Sequence, residues 1–153
     1  MANINSNYPE NFFRGISTED AIEDSYGEPM LLYSAFQFTN KHGRTDNFHE
    51  ASITWEDDEN AYTVIMNQKK IKGECEDYQF KVGVARISMD KMKRQLEPFI
   101  IKGELSYERD KTDDNDYHGN FLLAESLSQK RQLCTHVKTL LCQCVIDIHR
   151  RDN

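Results

Sequence analysis

The sequence predicts an α+β fold: one compact domain with a mostly antiparallel sheet of about five short strands, packed by a long C-terminal helix and two or three shorter helices. Two kinds of periodicity carry that prediction. Apolar residues alternate with polar ones at 51–55, 78–84 and 101–107, the period of a half-buried strand, whereas Leu133, Val137, Leu140, Leu141, Cys144, Val145 and Ile148 recur at helical offsets. No repeat, Gly/Ser linker or low-complexity stretch divides the 153 residues, so both kinds of element belong to one core.

Residues 1–11 are polar and carry Pro9, which predicts an irregular N-terminal arm, with the α+β domain occupying 12–153 from the apolar pair Phe12 and Phe13 onward. Ser17, Thr18, Glu19 and Asp20 offer a cap and early acids for a short helix that ends before Gly27 and Pro29. The run 30–38 reads as a buried strand with Ser34 as an inward or rim hydroxyl. A loop over 40–47, with His42-Gly43-Arg44, leads to the alternating strand of Ala51, Ile53 and Trp55, with His49 at its entrance. Acidic residues 56–59 start a helix whose Ala61, Val64, Ile65 and Gln68 share a face, although Thr63-Val64-Ile65 also suits a strand.

Tyr78, Phe80, Val82 and Val84 alternate with Gln79, Lys81 and Gly83, which predicts a continuous strand to Ser88. Ser88 then caps a short helix through Leu96 that Pro98 closes, and Ile101, Gly103, Leu105 and Tyr107 form the next strand. The acidic turn of Asp113, Asp114, Asn115 and Asp116 breaks regular structure before the buried run Phe121-Leu122-Leu123, leaving His118 and Asn120 at a strand mouth. The final helix runs from Ser126 or Ser128 to about residue 148.

With 26 acidic and 19 basic residues the formal charge is −7, which disfavours binding to a phosphate backbone. Cys75, Cys134, Cys142 and Cys144 form no Cys-x-x-Cys pair, and three of them fall in the final helix, as reduced, buried thiols would. The N-terminus has neither a charged nor an apolar leader segment, and no stretch reaches the ~18 apolar residues of a membrane span. A soluble, cytoplasmic protein is the expectation.

His42, His49, His118, His136 and His149 contain no His-x-x-x-His pair, the acidic turn lacks the glycine and distal glutamate of a calcium loop, and neither metal nor cofactor is expected. Arg14 beside Gly15 suits an anion, Ser34 is a positioning hydroxyl and His118 a general acid or base, so these three are the candidate catalytic residues. His49, Asn120 and Tyr107 are the ligand-binding candidates. Arg14-Gly15, Ser34 and a later Glu104 or Glu108 loosely resemble the Arg-Ser-Glu order of ADP-ribosyltransferases, a resemblance that implies contacts to NAD and activation of an acceptor. Ala35-Phe36 depart from that family's Ser-Thr-Ser pattern, and the Glu-x-Glu or Gln-x-Glu pair is missing.

No catalytic signature is complete. The first expectation is therefore a binding or regulatory protein that engages a protein partner through an acidic surface. The alternative is a small enzyme acting on a nucleotide or phosphorylated substrate, which requires Arg14, Ser34 and His118 to meet in one pocket.

Overall fold

Phe12 and Phe13 are adjacent and both fully buried, so the strand that carries them must have a packed layer on each side. The structure, a computed structural model that describes residues 9–151, shows how the chain supplies both layers. The strands in chain order are β1 (Asn11–Ile16), β2 (Ile22–Ser25), β3 (Glu28–Leu31), β4 (Phe48–Trp55), β5 (Lys69–Lys72), β6 (Cys75–Tyr78), β7 (Gly83–Ser88), β8 (Leu105–Arg109), β9 (His118–Ala124) and β10 (Val145–Arg150). The helices are α1 (Asn60–Asn67), α2 (Met89–Gln95), α3 (Glu97–Ile101), α4 (Glu125–Ser128) and α5 (Arg131–Gln143).

Among the described residues, six strands form one antiparallel sheet in the order β10-β7-β1-β4-β9-β8, while β2-β3 and β5-β6 are separate two-stranded hairpins. The predicted α+β domain is thus present, with one more sheet strand than expected. One side of the sheet carries Phe12, Ala51, Ile53, Trp55, Ala85, Ile87, Phe121 and Leu123, packed against Met92, Leu127, Val137 and Leu141 of the helices. On the other side a smaller core joins Phe13 and Val84 to Ala61 and Ile65 of α1.

Several elements differ from expectation for identifiable reasons. The region expected as a first helix holds only a 3-10 turn at Glu19–Ala21 before β2, because a turn at Tyr26 and Gly27 folds β2 directly onto β3. The strand expected over 30–38 is cut after Leu31 by a second 3-10 turn, Tyr33–Ala35, which leaves Ser34 exposed. The continuous strand expected over 78–88 is split into β6 and β7. At Gly83 the backbone has φ +150°, and an added Cβ would collide with the His149 carbonyl on β10, so only glycine lets the two strands approach there. Pro98 opens α3 rather than merely closing α2, consistent with its tolerance in a first helical turn, and this moves the following strand to β8.

The final helix stops at Gln143, and the run Val145, Ile146 and Ile148 becomes the edge strand β10. Those β-branched residues fit a strand as well as a helix, and β7 offers its open edge to them. Tertiary pairing decides the ambiguity. The expected arm falls largely on residues outside 9–151, and β1 begins at Asn11.

Candidate functional site

β1 and β4 pair only at Phe12↔Trp55 and Phe13↔Thr54, and then diverge. Two groups take over the bare edge of β4. The Arg14 guanidinium donates from Nη1 to the Ser52 carbonyl at 2.5 Å and from Nε to the Ala35 carbonyl at 3.0 Å, while Thr39 exchanges both backbone bonds with Glu50. Arg14 stands 5.8 Å from the Phe36 ring centroid and forms no ion pair with a carboxylate of any described residue. Burial pushes its pKa down to about 10.

Alternation along β1 puts Arg14 on the Phe12 side of the sheet, the side of Ala35 and the turn that carries Ser34. Alternation along β9 puts His118 and Asn120 opposite to Phe121, on the α1 side. The sheet therefore separates His118 from the neighbourhood that Arg14 shares with Ser34. His118 is the first residue of β9, at its mouth, and Asn120 lies two positions inside the strand. His49 lies inside β4, with Nδ1 2.8 Å from Ser128 Oγ, and Tyr107 packs edge-on to Trp55 at 5.6 Å.

On the α1 side, His118 Nδ1 is 2.7 Å from the Asp110 carbonyl oxygen, which can only accept, so Nδ1 carries the proton in the neutral ring and Nε2 is the basic nitrogen. It borders a cleft of about 50 Å³ between the diverged strands, with Ser52, Thr54, Gln68 and Gln79. Ligand sites usually enclose ~300–1,000 Å³, so this cleft suits ordered water rather than a substrate. Beside it Asn120 is buried and donates to Glu108 Oε1 at 3.1 Å and to Asp110 Oδ2 at 3.2 Å. Arg44 pairs with Asp46 of its own loop at 2.6 Å and reaches across to Glu108 at 2.5 Å and Glu50 at 3.0 Å on the sheet. Hydrogen bonding to Asp46, then to Glu108 and Glu50, holds its pKa above the usual range. This network clasps the 40–47 loop to the sheet. Among the described residues no buried side-chain nitrogen or oxygen lacks a hydrogen-bond partner.

A different surface lies at the β2-β3 hairpin. Its two-residue turn places Tyr26 at φ +54° and Gly27 at φ +79°, the left-handed pair that matches the twist of a hairpin and that Asn-Gly ordinarily supplies. A bulky aromatic is disfavoured there, yet Tyr26 is fully exposed at the tip. Leu31 turns into the core, and Met30, opposite Glu23, turns outward on the face that also carries Glu28. At the hairpin's base a groove of about 370 Å³ opens between Pro29, Met30, Leu31 and Tyr33 on one wall and Thr139, Cys142 and Val145 on the other.

The segment 15–40 contains Glu19, Asp20, Glu23, Asp24 and Glu28 and no lysine, arginine or histidine. It accounts for five of the seven net negative charges. Glu19 pairs with Arg150, and no cation of a described residue pairs with the other four. The β5-β6 hairpin differs: it sets Lys70 opposite Asp77 and bridges Asp77 to Lys81 at 3.0 Å. The cation-free run was visible in the sequence, but the capping pattern at 17–20 suggested a helix there and hid the hairpin.

Burial raises the Cys142 thiol to about 12, helped by Cys144, and raises Cys144 to about 11. Both stay protonated in the fold where an unfolded thiol, near 9.0, would ionise, so their contribution to stability is full below about pH 9 and is lost as pH rises toward 11–12. Iodoacetamide at neutral pH is expected to label exposed Cys75 and to spare buried Cys134 and Cys144, as read by peptide mass spectrometry. Labelling of all four at equal rates under native conditions would contradict this burial.

Among the described residues no group of His, Cys, Asp and Glu could hold a metal ion, and no helix is long and apolar enough to cross a membrane. No family model, curated protein or solved structure matches this chain.

Proposed function

We propose that this chain is a cytoplasmic binding or regulatory protein that engages a protein partner through the acidic surface of the β2-β3 hairpin. The observation that carries this reading is the display, on one small hairpin and the 3-10 turn that follows it, of the outward side chains Tyr26, Met30 and Tyr33 beside carboxylates that no described cation neutralises. Exposed aromatic and methionine side chains are enriched where proteins meet, and a single-signed field steers an oppositely charged partner. The strained Tyr26 fits a contact role better than a structural one. Four free cysteines suit a reducing compartment.

Affinity capture with the protein and with its Glu23→Gln/Glu28→Gln variant tests the reading. A partner held by the parent is expected to elute with salt and to be depleted on the variant, since charges at an interface rim act through a screened field. Identical, salt-insensitive capture by both proteins would refute it.

The enzyme alternative, acting on a nucleotide or phosphorylated substrate, draws support from Arg14, a guanidinium held by carbonyls with no anion of its own among the described residues. His118 would have to act from the far side of the sheet, which leaves that reading second.

A further inference from the structure

Resting on the partner reading above, we infer that the groove at the hairpin base receives an aliphatic or aromatic side chain of a basic amphipathic segment whose lysines or arginines meet Glu23 and Glu28. The groove, of about 370 Å³, is large enough to enclose such an anchor, and Met30 and Tyr33 at its rim are each about half exposed. Methionine is unbranched and polarisable and adapts to differently shaped apolar partners. The β2-β3 register fixes the charges around this anchor point: Glu23 lies directly across from Met30, and Glu28 is two positions along on the same face.

An apolar side chain entering here brings its neighbours next to two carboxylates. A neutral or acidic partner would desolvate these without compensation, whereas lysine or arginine would pair with them. A second copy of this chain is a poor occupant, because it would bring the same carboxylates and a net charge of −7 against its own kind. The occupant that satisfies both the groove and its rim is therefore amphipathic and basic.

Fluorescence anisotropy with a set of labelled peptides tests this. The parent peptide alternates leucine with lysine, a second replaces each leucine by glutamine, and a third replaces each lysine by glutamine. The parent peptide is expected to bind, to lose about tenfold in affinity for Met30→Gln, and to lose its salt dependence for Glu23→Gln/Glu28→Gln. Both variants change exposed side chains, and their melting temperatures should stay close to that of the parent protein.

If the leucine-free peptide binds as tightly as the parent peptide and Met30→Gln changes nothing, the groove takes no anchor and this inference fails, while the acidic-surface reading stands. If the lysine-free peptide binds as tightly, the site is plainly apolar and the inference fails with it. If light scattering shows a dimer that Met30→Gln dissociates, the groove is a contact between copies, which also overturns it. Peptide binding that Glu23→Gln/Glu28→Gln leaves unchanged in affinity and salt dependence would sink the acidic-surface reading itself.

Discussion

Phe12→Ala is expected to destabilise the protein by about 3–5 kcal/mol, the range for deleting a fully buried aromatic ring. Phe12 has no exposed surface and stands in β1, the strand between β7 and β4 in the sheet. Its ring centroid is 4.9 Å from Trp55, 5.0 Å from Phe121 and 5.8 Å from Tyr107, mostly in edge-to-face or tilted arrangements that aromatic quadrupoles favour. Those neighbours come from three other strands held by backbone ladders, so the site cannot collapse to fill the void. Denaturant unfolding reads the loss as a lower midpoint at unchanged slope. A loss under about 1 kcal/mol would mean that this aromatic cluster does not form the core.

Leu141→Ala is expected to cost about 2–5 kcal/mol for the same reason on the helical side. Leu141 is fully buried in α5, in the core that also holds Val137, Cys134, Met92 and the sheet residues above them. Although α5 ends earlier than its apolar periodicity suggests, Leu141 falls within it and keeps its inward direction. A loss below about half a kcal/mol would show that this stripe faces outward and that the core lies elsewhere.

The α+β class, β4, α1, the Ser88-capped α2 and the body of α5 were legible from periodicity and capping alone. The Ser88 hydroxyl does accept from the Lys91 amide, at 3.1 Å. What could not be read was set by tertiary contacts. Residues 145–148 satisfy both periods, and only the open edge of β7 makes them a strand. The β2-β3 turn lacks the Asn-Gly signal because Tyr26 occupies a left-handed position that sequence statistics assign to other residues.

Arg14, Ser34 and His118 stand out in the sequence by residue type alone, and spacing along the chain does not reveal which side of a sheet a strand residue faces until its register is known. Counting from Phe12 in β1 and from Phe121 in β9 resolves that question, and it separates His118 from the other two.

The partner surface is tested most directly by amide chemical-shift mapping, with the ¹⁵N-labelled protein titrated with the leucine-lysine peptide. The account predicts that the largest perturbations fall on residues 22–33, which hold the hairpin and its turn, and on 139–145 along the opposite wall of the groove. Perturbations centred on Arg44, Glu108 and His118, with residues 22–33 unmoved, would place binding on the opposite side of the sheet and contradict it.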